Sequence, residues 1–150
     1  MRSIKNLKFY LTKTGIIKSF NDNKFNLILT QRQWGLTSLL IKYVNQIPDD
    51  KTIFFGVKNI NIVRDIKRKI NHPYCRIQTV QETNLVGRGF DYIICDNFFD
   101  ESWVEKIILL SPTLKYDGKI ILADSGRGLG YQMEYFRNYN IINKMISNNG

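Results

Sequence analysis

Short apolar runs rich in β-branched and aromatic residues alternate along the chain with stretches in which apolar residues recur every three or four positions. The apolar runs, which predict strands, lie at residues 25–30, 52–57, 76–80, 91–96 and 119–124. The stretches with helical spacing lie at residues 36–45, 59–70 and 101–110. Strands that alternate with helices are typical of a parallel sheet covered on both faces. The sequence therefore predicts an α/β fold, a three-layer sandwich with a mostly parallel central sheet.

The length of 150 residues is that of one domain. No internal repeat, linker or low-complexity block divides the chain. Residues 1–24 are predicted to be a basic segment that packs on the core, and residues 25–150 are predicted to form the globular domain. Near the end, a helix is predicted over residues 131–138, followed by a last apolar cluster at residues 141–146.

The charge is strongly positive, because 22 Lys and Arg residues stand against 13 Asp and Glu residues and give a net charge of +9 at pH 7. Such a field attracts polyanions, meaning nucleic acid, nucleotide phosphates or acidic partners. Residues 1–20 contain five basic residues and no acidic one. This segment indicates either a solvated basic face or a contact with a phosphate backbone.

Composition argues against several classes of protein. The chain has one histidine and two cysteines, in no ligand spacing, which argues against a zinc site or a histidine-based triad. No apolar run reaches the ~18–20 residues of a membrane span, and the N-terminus lacks the apolar region of a secretory signal. We therefore expect a soluble, cytoplasmic protein with no membrane partner.

Polar loops follow three of the predicted strands, at residues 31–35, 96–99 and 124–130. Ligands of open α/β sheets bind at the carboxyl ends of the strands. These three loops are therefore expected to lie together at one edge of the sheet and to form the functional site.

The first loop joins a strand to a helix through residues 30–38, TQRQWGLTS. Backbone N–H groups at the start of a helix bind phosphate and a hydroxyl binds magnesium, which predicts roles for Gly35 and Thr37. Arg32 is a further candidate for a phosphate contact. A strand that ends in Asp96 supplies the carboxylate that a magnesium ion needs beside such a loop. Taken alone, Asp96 is equally well read as a loop carboxylate.

Three motifs, in order, resemble those of the large terminase subunits of tailed phages. Residues 32–38 (RQWGLTS) resemble the family's deviant Walker A motif, which typically reads Arg-Gln-x-Gly-Lys-Thr/Ser. Residues 87–99 (GRGFDYIICDNFF) resemble its Walker B region, and residues 119–128 (KIILADSGRG) resemble its coupling motif. The resemblance covers residues 25–138. It implies a P-loop NTPase-like domain of the additional-strand type, an ATPase that moves double-stranded DNA into a prohead as an oligomeric ring.

Site residues are carried over from the family by position. The resemblance assigns nucleotide binding to Gln31, Arg32, Gln33, Trp34, Gly35, Leu36, Thr37 and Ser38. It assigns the magnesium ion to Thr37 and Asp96, and catalytic positions to Arg32, Asp96 and Asn97. Asp124, Ser125 and Arg127 would couple nucleotide state to movement. The implied cofactors are ATP and Mg2+. The implied partners are double-stranded DNA and one of three further partners: a portal, a small terminase subunit or a separate nuclease chain, the last because the family's nuclease domain has no counterpart in these residues.

Two positions depart from the family pattern. Leu36 stands where the family has the lysine that binds the β- and γ-phosphates, and Asn97 stands where it has the glutamate that activates water. Phosphoryl transfer depends on such charges, so their loss predicts a degraded nucleotide site. Arg32 could replace part of the missing lysine charge, and Asp100 or Glu101 could replace the missing carboxylate.

Two other functions remain open from the sequence. One is a terminase-derived module that binds DNA or a protein partner without hydrolysing ATP. The other is a class I methyltransferase, although the first loop has one glycine where those enzymes need a glycine-rich turn. Two side chains also have two interpretations each: Trp34 packs on the core or stacks on adenine, and Arg127 is a solvated arginine or an arginine finger.

Overall fold

The structure, a computed structural model, describes residues 7–8, 12–80, 89–126, 130 and 134–145. Its strands are β1 (Leu7–Lys8), β2 (Phe25–Thr30), β3 (Ile53–Val57), β4 (Cys75–Thr79), β5 (Phe90–Cys95), β6 (Leu114–Ser125) and β7 (Asn140–Lys144). Its α-helices are α1 (Lys13–Asp22), α2 (Leu36–Gln46), α3 (Val63–Lys69) and α4 (Trp103–Leu110). Short 3-10 turns precede α3 and follow α4. Within the described ranges, every helix is too short or too polar to cross a bilayer.

The strands form one sheet in the order β1-β7-β2-β6-β5-β3-β4, and every described pairing is parallel. Strand β6 lies between β2 and β5, which is the extra strand expected of the additional-strand P-loop type. In a doubly wound sheet of the order 3-2-1-4-5-6, the first and second strands are neighbours. The strand before the first loop is β2 here, and the next strand along the chain is β3. These two strands are separated by β6 and β5, which argues against the methyltransferase alternative.

Both faces of the sheet are covered, as predicted for a three-layer α/β sandwich. Side chains alternate along each strand, so Ile28 of β2 joins the core under α1, α2 and α3, whereas Leu27 and Leu29 join the core under α4. The same alternation holds in β6 for Ile121 and Leu122. The predicted fold class is therefore confirmed.

Helix α1 is the largest element that the sequence did not predict as a helix. Ile16 and Phe20 are fully buried on one of its faces, four residues apart. Thr12 caps its start, because the Thr12 hydroxyl accepts a hydrogen bond of 3.1 Å from the Gly15 N–H. Ile17 is buried beside them, but the other residues of the helix are polar or charged apart from Gly15, so its apolar stripe is too narrow to stand out.

The helix predicted over residues 131–138 is wrong in its described part, since residues 135–138 form a turn; residues 131–133 lie outside the described residues. Phe136 is fully buried in this turn, and its carbonyl accepts a 2.8 Å hydrogen bond from the Tyr139 N–H. Packing of one large aromatic side chain therefore outweighs helix propensity here. The apolar cluster that follows is strand β7, paired with β2.

Candidate functional site

The carboxyl ends of β2, β6 and β5 lie side by side in the sheet. Thr30, the last residue of β2, is paired with Ser125 of β6, and Cys95 of β5 is paired with Leu122 of the same strand. The loops that begin at residues 31, 96 and 126 are therefore neighbours, as the strand-end argument predicts. Arg127 and residues 128–129 of the third loop lie outside the described residues.

The loop between β2 and α2 turns through two left-handed backbone conformations. Gln33 has a φ of 63° and Gly35 has a φ of 93°. Gly35 is also the N-cap of α2, and no side chain caps this helix. Among the described residues, the N–H groups of the first helical turn therefore have no capping side chain, which is the arrangement that binds anions at a helix start.

Thr37 and Asp96 are brought together although they lie 59 positions apart in the sequence. The Thr37 hydroxyl donates a 2.5 Å hydrogen bond to Oδ2 of Asp96, whose other carboxylate oxygen accepts from the Asn97 N–H at 3.0 Å. Asp96 is 3% exposed. Burial raises the pKa of Asp96 above its usual value, and these two hydrogen bonds lower it in part.

A hydroxyl beside a buried carboxylate is a donor set that suits magnesium. Within the described residues, no three His, Cys, Asp or Glu side chains lie close enough to hold a metal by themselves. Mg2+ usually takes one or two protein ligands and completes its shell with water and substrate phosphate. Thr37 and Asp96 therefore fit a magnesium ion that arrives with a nucleotide.

The two positions that differ from the terminase motifs, 36 and 97, have different surroundings in the structure. Leu36 is only 4% exposed and packs in the core with residues of α1 and α2. Asn97 has a φ of 49°, a left-handed conformation that asparagine tolerates better than most residues. Leu36 is therefore a core residue, whereas Asn97 is a half-buried residue that presents a neutral amide beside the cleft.

Arg32 lies across the loop that follows β6. A methyl group at Gly126 would collide with the aliphatic part of the Arg32 side chain, which shows how closely the two loops pack. A cleft of about 350 Å3 opens beside this contact; it is lined by Arg32, Lys58, Asn97, Phe99, Asp124, Ser125 and Gly126. Candidate residues of all three strand-end loops therefore share one cleft.

Asp124, a predicted coupling residue, links the ends of two strands. Its side chain is 3% exposed, and its Oδ1 atom accepts a 3.2 Å hydrogen bond from the Phe99 N–H. Ser125 follows it at the lip of the cleft. Asp124 therefore ties the end of β6 to the loop after β5.

Asp100, a candidate replacement for the missing glutamate, is already engaged. It forms a 2.8 Å ion pair with the buried Lys106 and accepts hydrogen bonds from Ser102. Burial raises the pKa of Asp100, but these partners together outweigh burial and leave it below its usual value. A weak base of this kind is poorly suited to activate water. Glu101 is exposed beside it.

Of the remaining predicted residues of this segment, Gln31 and Trp34 have structural contacts. The Gln31 side chain donates a 3.0 Å hydrogen bond to the Met145 carbonyl, which ties the loop to the end of β7. Trp34 is half-buried and packs against the core, as its packing interpretation predicts. Gln33 and Ser38 are exposed.

Two lysines near the site were missed by sequence reasoning. Lys58, just after β3, lines the cleft with Arg32. The ammonium group of Lys13, at the start of α1, lies 5.1 Å from the centre of the Trp34 ring. The only sequence signal for either was the general excess of basic residues, which does not single out a position.

The sequence matches no protein-family model, and a comparison with curated proteins finds no match. Among solved structures, one that resembles this chain is a mutant of the ATPase domain of the large terminase of Thermus phage P74-26. The TM-score is 0.61 and the identity is 14%, over 92% of this chain and 81% of that one. At this identity the likeness shows a shared fold.

Proposed function

We propose that this chain is a terminase-like nucleotide-binding domain of a viral DNA-packaging motor, which binds magnesium–ATP at the carboxyl edge of its sheet and has lost rapid hydrolysis. The observation that carries the proposal is the 2.5 Å hydrogen bond between the Thr37 hydroxyl and the Asp96 carboxylate. The sheet order and the uncapped start of α2 support it, because they put an anion-binding helix end beside this pair.

The roles within the site follow from the contacts. Thr37 and Asp96 would hold Mg2+, which neutralises phosphate charge when bound. The backbone of residues 33–37 would bind the phosphates. Arg32 lies over Gly126, beside Asp124 and Ser125, so it would sense a ligand and pass its presence to the end of β6. Arg127 keeps its sequence-derived assignment to coupling.

The proposed slow turnover follows from the two positions, 36 and 97, at which the sequence differs from the terminase motifs. The Asn97 amide cannot take a proton from water, and Asp100 is held by Lys106. Losing one major electrostatic group of a phosphoryl-transfer site commonly lowers the rate by two or more orders of magnitude. The groups proposed to bind the nucleotide, the start of α2 and the Thr37–Asp96 pair, do not depend on Asn97.

The packaging role is inferred from fold likeness together with the three sequence motifs. It implies double-stranded DNA and a portal, a small terminase subunit or a separate nuclease chain as partners, a ring of several copies, and a location in the cytoplasm of the infected cell. The net charge of +9 is consistent with a DNA partner.

Calorimetric titration with magnesium–ATP tests the proposal, alongside a sensitive hydrolysis assay. We expect micromolar binding that disappears when Mg2+ is chelated, that weakens in Arg32→Ala, and that proceeds with little phosphate release. Absence of binding up to millimolar nucleotide would overturn the proposal.

A second candidate is a terminase-derived module that binds DNA or a protein without any nucleotide. The burial of Leu36 in the core favours it, since the phosphate-binding charge of this position has been given up for packing. DNA binding that is unaffected by magnesium–ATP, in a protein that binds no nucleotide, would support this candidate.

A further inference from the structure

The loop between β2 and α2 has Leu36 where the Walker A motif that it resembles has a phosphate-binding lysine. A triphosphate carries several negative charges, and Leu36 supplies none to offset them. Backbone N–H groups carry only partial charges. A site that binds magnesium–ATP at useful affinity therefore needs a cation from another part of the chain.

Lys13 is the first residue of α1, and it lies beside this loop. Its ammonium nitrogen is 3.4 Å from the position that a Cβ atom on Gly35 would occupy, and 5.1 Å from the centre of the Trp34 ring. Gly35 and Trp34 immediately precede the uncapped first turn of α2. A positive charge therefore lies against the two residues that lead into the predicted anion site.

The surroundings leave Lys13 available. Its side chain is exposed, and none of the ion pairs found among the described residues involves it. The contact with Trp34 is a cation–π contact at an exposed site, which is weak and easily exchanged for a phosphate. A lysine side chain is also long and flexible enough to follow a ligand.

Arg32 does not fill the same place. Its side chain lies against Gly126, on the side of the loop that faces β6. Lys13 approaches from α1, on the side where Trp34 packs against the core under α1 and α2. Arg32 is thus a residue of the loop that lies against the end of β6, whereas Lys13 reaches the loop from α1, so the two cations occupy different places.

We infer that Lys13 of α1 supplies the phosphate-binding cation that Leu36 no longer provides. The inference rests on the proposed nucleotide-binding function and adds a residue to that site. Helix α1 then becomes part of the nucleotide site as well as part of the core, and the sequence before β2 contributes directly to ligand binding.

The test compares Lys13→Met with Lys18→Met. Both variants remove one positive charge from α1, but Lys18 lies five residues after Lys13 and pairs with Asp22 on the surface. The ligands are magnesium with a slowly hydrolysed ATP analogue, and magnesium with inorganic tripolyphosphate, which lacks base and sugar. Binding is measured by calorimetry, so the readout does not depend on turnover.

We expect Lys13→Met to lower the affinity for both ligands by about tenfold or more, which is the effect of losing one charged hydrogen bond. Lys13→Arg should stay within a few-fold of the wild type, and Lys18→Met should be unchanged. Equal losses for the nucleotide analogue and tripolyphosphate place the lysine at the phosphates. Lys13→Gln serves as a second neutral variant, and thermal unfolding of each variant checks that it folds.

Two results would overturn the inference, and they differ in what else they affect. If the wild type binds both ligands and Lys13→Met binds them as well as Lys18→Met does, Lys13 is not the cation, while the proposed function stands. If the wild type binds neither ligand, the proposed function fails and the inference fails with it.

Discussion

Two parts of the candidate site, Thr37 with Asp96 and positions 36 with 97, compare differently with the terminase motifs that the sequence resembles. The metal half, Thr37 with Asp96, keeps a hydroxyl and a buried carboxylate in direct contact. The charge half, positions 36 and 97, has a core leucine and an amide where the terminase motifs that it resembles have a lysine and a glutamate. The geometry of metal binding can therefore be present without the charges that hydrolysis needs. The geometry depends on where the strands end, whereas each charge depends on a single side chain.

The largest expected effect is on the metal half, in Asp96→Asn. We expect magnesium-dependent nucleotide binding to fall by about 100-fold or more, since the amide removes the only charged ligand. Calorimetry with and without Mg2+ measures this. If binding in Asp96→Asn stays magnesium-dependent and strong, the metal half lies elsewhere.

The same variant should be more stable than the wild type at neutral pH. Burial raises the pKa of Asp96 in the folded protein above its value in the unfolded chain. The protonated side chain therefore stabilises the folded state below the unfolded-state pKa, and this stabilisation is lost as the pH rises through the folded-state pKa. The amide has no such loss. The gain in unfolding temperature should therefore shrink toward zero below about pH 4. A gain that grows on acidification would contradict the raised pKa.

The charge half is tested by restoring a lysine, in Leu36→Lys. Because Leu36 is buried in the core, we expect a loss of about 3 kcal/mol or more in the free energy of unfolding, measured by denaturant titration. Leu36→Met, which conserves volume, should lose less than about 1.5 kcal/mol. A stable Leu36→Lys protein that binds ATP more tightly would show that the position still faces the ligand.

Thr37→Val removes the hydroxyl from the metal half and keeps the side-chain shape. Magnesium–nucleotide affinity should fall by about tenfold, the cost of one hydrogen bond or ligand. Thr37→Ser, which keeps the hydroxyl, should bind within a few-fold of the wild type. Equal affinities for the valine and serine variants would remove Thr37 from the site.

The smallest expected effect concerns the contact between Arg32 and Gly126. Gly126 has a φ of 76°, so Gly126→Ala should cost about 1–2 kcal/mol in backbone strain alone. The new methyl group also collides with Arg32. In the Arg32→Ala background the cost should therefore be lower, which a double-mutant cycle of unfolding free energies measures. Strictly additive costs would mean that the two side chains do not meet.

The parts of the molecule that sequence could predict are those with strong local patterns. The buried strands and the loops at their carboxyl ends were found from apolar runs and polar breaks. Asp96 was found because it terminates the clearest run. The start of β6 was missed, because residues 115–117 are polar and exposed yet still extend the strand.

The parts that could not be predicted depend on long-range packing. Nothing local distinguishes Lys13 from the other basic residues near the N-terminus, since its place beside Gly35 arises only when α1 packs on the sheet. Likewise, the ion pair between Asp100 and Lys106 depends on the burial of Lys106 under the loop after β5. Such contacts need the fold before they can be seen.

Crystals grown with Mn2+ and a slowly hydrolysed ATP analogue would show directly whether Thr37 and Asp96 hold the metal ion. Mn2+ replaces Mg2+ and has a strong anomalous signal. We expect one anomalous peak about 2.0–2.3 Å from side-chain oxygens of both Thr37 and Asp96. The phosphates should lie against the start of α2. A nucleotide bound at this edge with no metal at Thr37 and Asp96 would contradict this placement of the metal ion.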